Sequence, residues 1–249
     1  MSRNLVFNNA LVLRVRPFGE ANREAVFLTT EEGIVNVVVF GGPRSKLRAA
    51  ISPFHQGNLY LYLNPMKDSR KAVDFDVKIW RPGLREDFGR AMAAGAVSGT
   101  VSATHAGGGD WARALELASA SLTALETADE SACIRVFIHF LWNWLGLIGE
   151  KPSLSHCAVC GLTFENSAVF SFLEQALVCP VCRESAWRTE SGSLVLGPGA
   201  RRWLSVTENL PPSQLGRWTL DMVSLVQARA VVTGMMALTI EKRLNIWDF

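Results

Sequence analysis

Tyrosine occurs twice and histidine four times in 249 residues. The histidines lie singly, with no His-Glu-x-x-His pair to carry a catalytic zinc, and no Gly-x-Ser-x-Gly elbow presents a nucleophilic serine. A phosphate-cradling P-loop is missing too, because Gly41 is not followed by a glycine directly before Lys46. Long apolar runs are absent. The longest, Ile134 to Ile148, is broken by Arg135, His139 and Asn143 and falls short of the ~20 residues a bilayer requires, so it reads as a core helix and no membrane is expected. The chain opens Met-Ser-Arg-Asn without an apolar secretory segment, which points to a reducing, cytoplasmic setting. Nothing here assembles an active site, and the expectation is a protein that is not an enzyme.

Cysteine is also scarce, but four of the five fall as Cys157-Ala-Val-Cys160 and Cys179-Pro-Val-Cys182. Two Cys-x-x-Cys knuckles at that separation have the spacing of a tetrahedral zinc site with four cysteine ligands, since each knuckle brings two thiolates to one side of a metal. Two disulfides are the competing reading, and a reducing compartment disfavours them. Four thiolates leave no open coordination position, so such a zinc folds its segment and performs no chemistry. A nucleobase deaminase would need a His-x-Glu and a proline directly before the pair, whereas here Pro180 lies inside it. His156 adjoins Cys157 and reads as a bystander, and Cys133 as a packing residue on an apolar face.

The net charge of +2 hides an asymmetry: residues 1–90 carry 14 Lys/Arg against 9 Asp/Glu, so a polyanion should meet the front of the chain. That front part alternates with period two over Leu11–Arg16, Arg23–Thr30, Ile34–Phe40, Asn58–Leu63 and Ala72–Trp80. In the first, Leu11, Leu13 and Val15 are expected on one face. Five short strands in so few residues hide their edges best as a small closed barrel of the oligonucleotide/oligosaccharide-binding (OB) type, with an SH3-like barrel as the structural alternative. After Arg81-Pro82-Gly83 the period becomes helical, with helices expected over 85–104, 111–126, 133–147, 200–207 and 213–243. The fold class is α+β: a five-stranded OB-type β-barrel over 1–82, then an α-helical domain over 83–249 with a four-cysteine zinc hairpin, 155–185, inserted.

The densest basic feature is Gly41-Gly42-Pro43-Arg44-Ser45-Lys46-Leu47-Arg48. In extended chain, Arg44, Lys46 and Arg48 share one side, as a phosphate backbone would need, and Lys67, Arg70 and Lys71 form a second cluster. Tyr60 and Tyr62 alternate with Leu59, Leu61 and Leu63. If the leucines fill the barrel, the rings stand outside it, where bases stack or where the helical domain covers them.

Three stretches, Ala10-Leu-Val-Leu-Arg-Val-Arg-Pro-Phe-Gly-Glu20, Leu28-Thr-Thr-Glu-Glu-Gly33 and Lys46-Leu-Arg-Ala-Ala-Ile-Ser-Pro53-Phe54, resemble the bacterial recombination mediator family RecO. Arg135-Val-Phe137, Leu145-Gly-Leu147, Pro152 and Cys157-x-x-Cys-Gly161 continue the likeness in the same order. The resemblance implies binding of single- and double-stranded DNA, annealing without ATP, association with RecR, and help for RecA in displacing the single-strand-binding protein, in the bacterial cytoplasm at the nucleoid. It implies that Arg44, Lys46 and Arg48 contact DNA and that Cys157, Cys160, Cys179 and Cys182 ligate zinc. Arg135 matches a position that receives the acidic, Phe-ending tail of the single-strand-binding protein, against the plainer reading that it pairs with Glu130 or another acid in its own domain. Two departures stand out: Ala49 replaces a usual glycine, and Gln175-Ala176 a usual glycine pair before the third cysteine. The rival reading is a zinc-ribbon structural or RNA-binding protein of a ribosome or polymerase assembly.

Overall fold

The computed structural model describes residues 3–41, 45–64, 66, 69–172, 174–186 and 194–240. The alternating stretches become β1 (Arg3–Phe18), β2 (Asn22–Thr29), β3 (Gly33–Val39), β4 (Gln56–Asn64) and β5 (Ser69–Ile79), with a one-turn helix α1 (Lys46–Ala50) before β4. They close into a barrel in the order β1-β2-β3-β5-β4, as expected of an OB-type fold. Every neighbour pair is antiparallel except β3 and β5, which meet in parallel at the one pair Val38–Lys71. The interior is filled by Val12, Phe27, Val37, Leu59, Leu61 and Phe75, among others. Phe27 and Phe75 meet edge to face with centroids 5.5 Å apart, an arrangement that favours aromatic pairs beyond their buried area.

Strict alternation fails in β1. A register shift between Val12 and Arg14 turns Val12 into the barrel and brings Val15 to the same side. Leu11 and Leu13, expected on that side with Val15, are buried outside the barrel core instead. Leu11 lies opposite Leu28, also buried, on the side where helices α2 (Phe88–Ala103) and α3 (Trp111–Leu125) pack against β1 and β2. The side chains of Asp87 and Asp110 cap these helices by accepting from the N–H of Arg90 and Arg113. Gly33 turns β2 into β3 with φ +64°, and a Cβ there would meet Trp111 Nε1 at 2.8 Å, so the turn needs glycine for its backbone and for the indole of α3. The compact unit containing the barrel is Met1–Ala128, so the packing boundary falls well beyond the change of periodicity at residue 82.

The second unit, Asp129–Phe249, begins with α4 (Glu130–Leu147), capped by Asp129. β6 (Ala168–Ser171), β7 (Ala176–Val178), α5 (Pro180–Ala186) and β8 (Leu194–Leu196) follow, with the sheet in the order β7-β6-β8. Helices α6 (Pro198–Thr207) and α7 (Met222–Thr239) complete it. The expected last helix over 213–243 is shorter, and its part beyond 240 lies outside the described residues. Pro212–Arg217 forms a 3-10 turn, Trp218 leaves helical geometry, and Asp221 starts α7 afresh by accepting from the Ser224 N–H. By length and composition α7 passes the test for a membrane-crossing helix, with mean hydropathy 1.4 over 18 residues. Its buried Ala228, Val231, Val232 and Met236 belong to a face packed on α4, α6 and β8, while Val223 and Val226 stay exposed on the other side. His139 is buried on α4 with Nε2 3.0 Å from the Thr207 carbonyl oxygen, and Cys133 is buried on the same helix as a packing residue.

Candidate metal centre and nucleic-acid interface

The sulfurs of Cys157, Cys160, Cys179 and Cys182 all lie within 4.8 Å of one another. Local backbone explains how. His156 bridges to Thr163, the Cys157 N–H donates to the Leu162 carbonyl and the Gly161 N–H to the Cys157 carbonyl, closing the first knuckle with Gly161 at φ +73°. Cys179 leaves β7, and Pro180 starts α5 directly, which folds Cys182 back within one turn. The Ala158 N–H to Leu177 carbonyl bond, 3.0 Å, ties the knuckles together, and the Cys179 N–H points at Cys157 Sγ over 3.3 Å.

Four thiols crowded this way cannot all keep ordinary acidities. Burial pushes the Cys157 thiol up, but backbone N–H groups of Cys160, Cys179 and Val159 outweigh it and bring its pKa down to about 6. Hydrogen bonds to the sulfurs of Cys160 and Cys179 push Cys182 up to about 12. The cluster thus favours one thiolate, with its neighbours donating to it, and further ionisation calls for a cation. With Zn–S near 2.3 Å, a tetrahedral zinc sets its sulfurs about 3.8 Å apart. The Cys160 and Cys179 sulfurs are 3.9 Å apart, close to that spacing and far beyond the ~2.05 Å of a disulfide bond. His156 turns Nδ1 to Ser155 Oγ, 3.0 Å away, in keeping with a bystander.

One arginine that sequence reasoning missed anchors this centre. Arg201 of α6 donates to the carbonyls of Leu154, Phe164 and Asn166, and its guanidinium lies over the Phe164 ring. Burial lowers its pKa. No local signal marks it, since its partners lie some 35 to 47 residues away in sequence.

The basic residues are placed less simply. Arg44 and Lys67 lie outside the described residues. Lys46 and Arg48 do not extend along one side of a strand, because Leu47 and Ala50 pack against the barrel core and wind the segment into α1. Two positions apart on a helix means opposite sides: Lys46 is exposed and Arg48 half-buried. Arg70 pairs with Glu32 at 2.7 Å and Lys71 sits 4.8 Å over the Phe40 ring, so both are engaged within the barrel. Tyr60 is 37% exposed and Tyr62 half-buried, with Leu59 and Leu61 inside the barrel. Val6 and Asp74 flank Tyr60 across the neighbouring strands. On α4, Arg135 donates to Ser131 Oγ at 2.8 Å, and its field lowers the pKa of Asp129 alongside the stronger backbone bond from Ala132. No ion pair of Arg135 with Glu130, the alternative partner, is present among the described residues.

Comparison with known proteins identifies this combination. The model of the recombination protein O N terminal matches residues 1–71, and that of the recombination protein O C terminal matches residues 85–246. The chain belongs to the RecO family. Curated DNA repair proteins RecO resemble it along nearly their whole length: that of Acetivibrio thermocellus is 26% identical over 99% of this chain and 96% of the relative, and that of Heliobacterium modesticaldum is 27% identical over 96% and 86%. The RecO of Alkaliphilus metalliredigens is 29% identical over 72% of each chain. RecO membership gives the barrel and the cysteine cluster a setting in DNA repair and recombination.

Proposed function

We propose that this chain is a recombinational repair mediator that binds single- and double-stranded DNA, anneals complementary strands without ATP, and with RecR promotes RecA loading on DNA covered by single-strand-binding protein. It acts without a catalytic centre of its own, in the bacterial cytoplasm at the nucleoid. The observation that carries the reading is a RecO-family chain whose OB-type barrel keeps the cations Lys46 and Arg48 without ion pairs among the described residues. Cys157, Cys160, Cys179 and Cys182 would hold a structural zinc, which supplies folding energy when bound and no open position for chemistry. Arg44 and Lys67 join the DNA-binding set, Arg70 and Lys71 join by leaving their present partners, and Tyr60 and Tyr62 offer stacking faces. Arg135 receives the acidic tail of the single-strand-binding protein. Strand annealing of complementary oligonucleotides, measured by fluorescence with and without ATP, tests the central claim: wild-type protein that accelerates annealing equally in both supports it, and no acceleration refutes it. Arg135→Ala should weaken tail-peptide binding by ~1.5–3 kcal/mol with DNA binding intact.

A further inference from the structure

The β1–β2 hairpin, its tip at Gly19–Ala21, overhangs a cleft of about 330 Å3 whose opposite wall is α1 and Pro53. Arg16, Arg23 and Arg48 line it, from β1, β2 and α1. Arg16 is tied to Glu24. Arg23 and Arg48 are half-buried and have no ion pair or side-chain hydrogen bond among the described residues. A half-buried guanidinium loses hydration that only an acceptor restores, and here two such groups converge from elements some 25 residues apart in sequence. The single lining carboxylate, Glu20, stands at the exposed hairpin tip. With Arg16 neutralised by Glu24, the two unpaired cations Arg23 and Arg48 against Glu20 still give the cleft a net preference for negative charge.

We infer that this cleft is a phosphodiester subsite for one strand of a single-stranded polynucleotide, with Arg23 and Arg48 as its phosphate ligands and Arg16, held by Glu24, shaping its wall. The inference rests on the DNA-binding reading above and deepens it. Size selects the occupant: the cleft holds a phosphate with its sugar, whereas a duplex, too broad to enter, meets only the rim. Loops joining the first two strands of OB-type barrels are favoured places for oligonucleotides, which agrees with a cleft under this hairpin. The carboxylate of Glu20 opposes a second negative charge, so a diester suits the cleft better than a doubly charged terminal phosphate.

The test titrates the full chain with labelled oligothymidylate and with a blunt duplex of equal length, at several salt concentrations. Replacing both arginines (Arg23→Ala with Arg48→Ala) should cost about tenfold to hundredfold in affinity for the single strand. It should flatten the salt dependence by about 0.7 to 1.4 units of slope. Duplex affinity should change by less than half as much on a logarithmic scale. Glu20→Gln should tighten single-strand binding about threefold, a gain that a damaged fold cannot produce. Inorganic phosphate should displace the strand no better than chloride at equal ionic strength. Unchanged single-strand affinity and slope in the double variant, equal losses on both DNAs, or specific displacement by inorganic phosphate each overturn the assignment while leaving DNA binding itself standing. Wild-type protein that binds neither DNA removes the DNA-binding reading, and this inference with it.

Discussion

Arg81 offers the sharpest quantitative test of how the first unit is held together. It is 2% exposed, carries φ +47°, and donates from Nε to Thr123 Oγ1, from Nη1 to the Phe54 carbonyl, and from Nη2 to Gln56 Oε1, the Ser119 carbonyl and Ser119 Oγ, at 2.8 to 3.2 Å. None of these partners is a carboxylate. Burial lowers its pKa to about 10, with Glu126 pulling the other way. Removing the side chain leaves the Phe54 and Ser119 carbonyls without this donor, at about 1–3 kcal/mol each, and opens a cavity between the mouth of the barrel and α3. Relief of an uncompensated buried charge returns part of that. The net expectation for Arg81→Ala is a loss of about 3–5 kcal/mol, and for Arg81→Met, which refills the space without the charge, about 1–3 kcal/mol. At roughly 2–4 °C per kcal/mol for a chain of this size, Arg81→Ala should melt about 6–20 °C lower by circular dichroism or calorimetry. If both variants lie within 0.5 kcal/mol of wild type, a typical surface change, the five hydrogen bonds are not a clamp and the reasoning fails.

Three further outcomes are expected. Cys160→Ser should bring bound zinc from one equivalent to near zero by metal analysis and make the second unit protease-sensitive, since metal binding is folding energy; unchanged melting after chelation of the wild type would contradict this. Gln175→Gly should raise stability by ~1 kcal/mol in denaturant melts, because Gln175 is exposed and holds the left-handed φ +49° in the turn between β6 and β7. His139, whose pKa burial lowers, binds its proton in the unfolded chain before the folded one does. Its share of stability is therefore present above about pH 6.5 and lost as pH falls below it; a His139→Gln variant should show a shallower acid slope in melting temperature.

The parts of this structure written locally were legible. Alternation marked part of every strand of the barrel, though not the first half of β1 or its bulge, and the cysteine spacing marked the cluster, because each depends on neighbours in sequence. Legibility ended where tertiary contacts decide. Leu47 and Ala50, spaced as on one helical face, wound the basic segment into α1 and set Lys46 apart from Arg48. The bulge after Val12 exchanged the faces of β1, and only pairing with β2 reveals it. Asp221 three residues before Ser224 was a readable start signal for α7, but Pro211-Pro212 read as the start of a longer helix from residue 213. The clamps at Arg81 and Arg201 are invisible in one dimension, since an arginine whose acceptors are distant carbonyls carries no spacing of its own.

The single parallel pair between β3 and β5 gives the barrel a zipper with one tooth. All its other neighbours are joined by ladders, whereas this line is spanned by Val38–Lys71, the Arg70–Glu32 pair and the Lys71 ammonium over Phe40. The two cations that fasten the zipper are also two of those we propose meet DNA. On that proposal, a strand recruiting them takes both contacts from this seam, so grip and closure would draw on the same two side chains, and salt, by screening the pair, would loosen both at once.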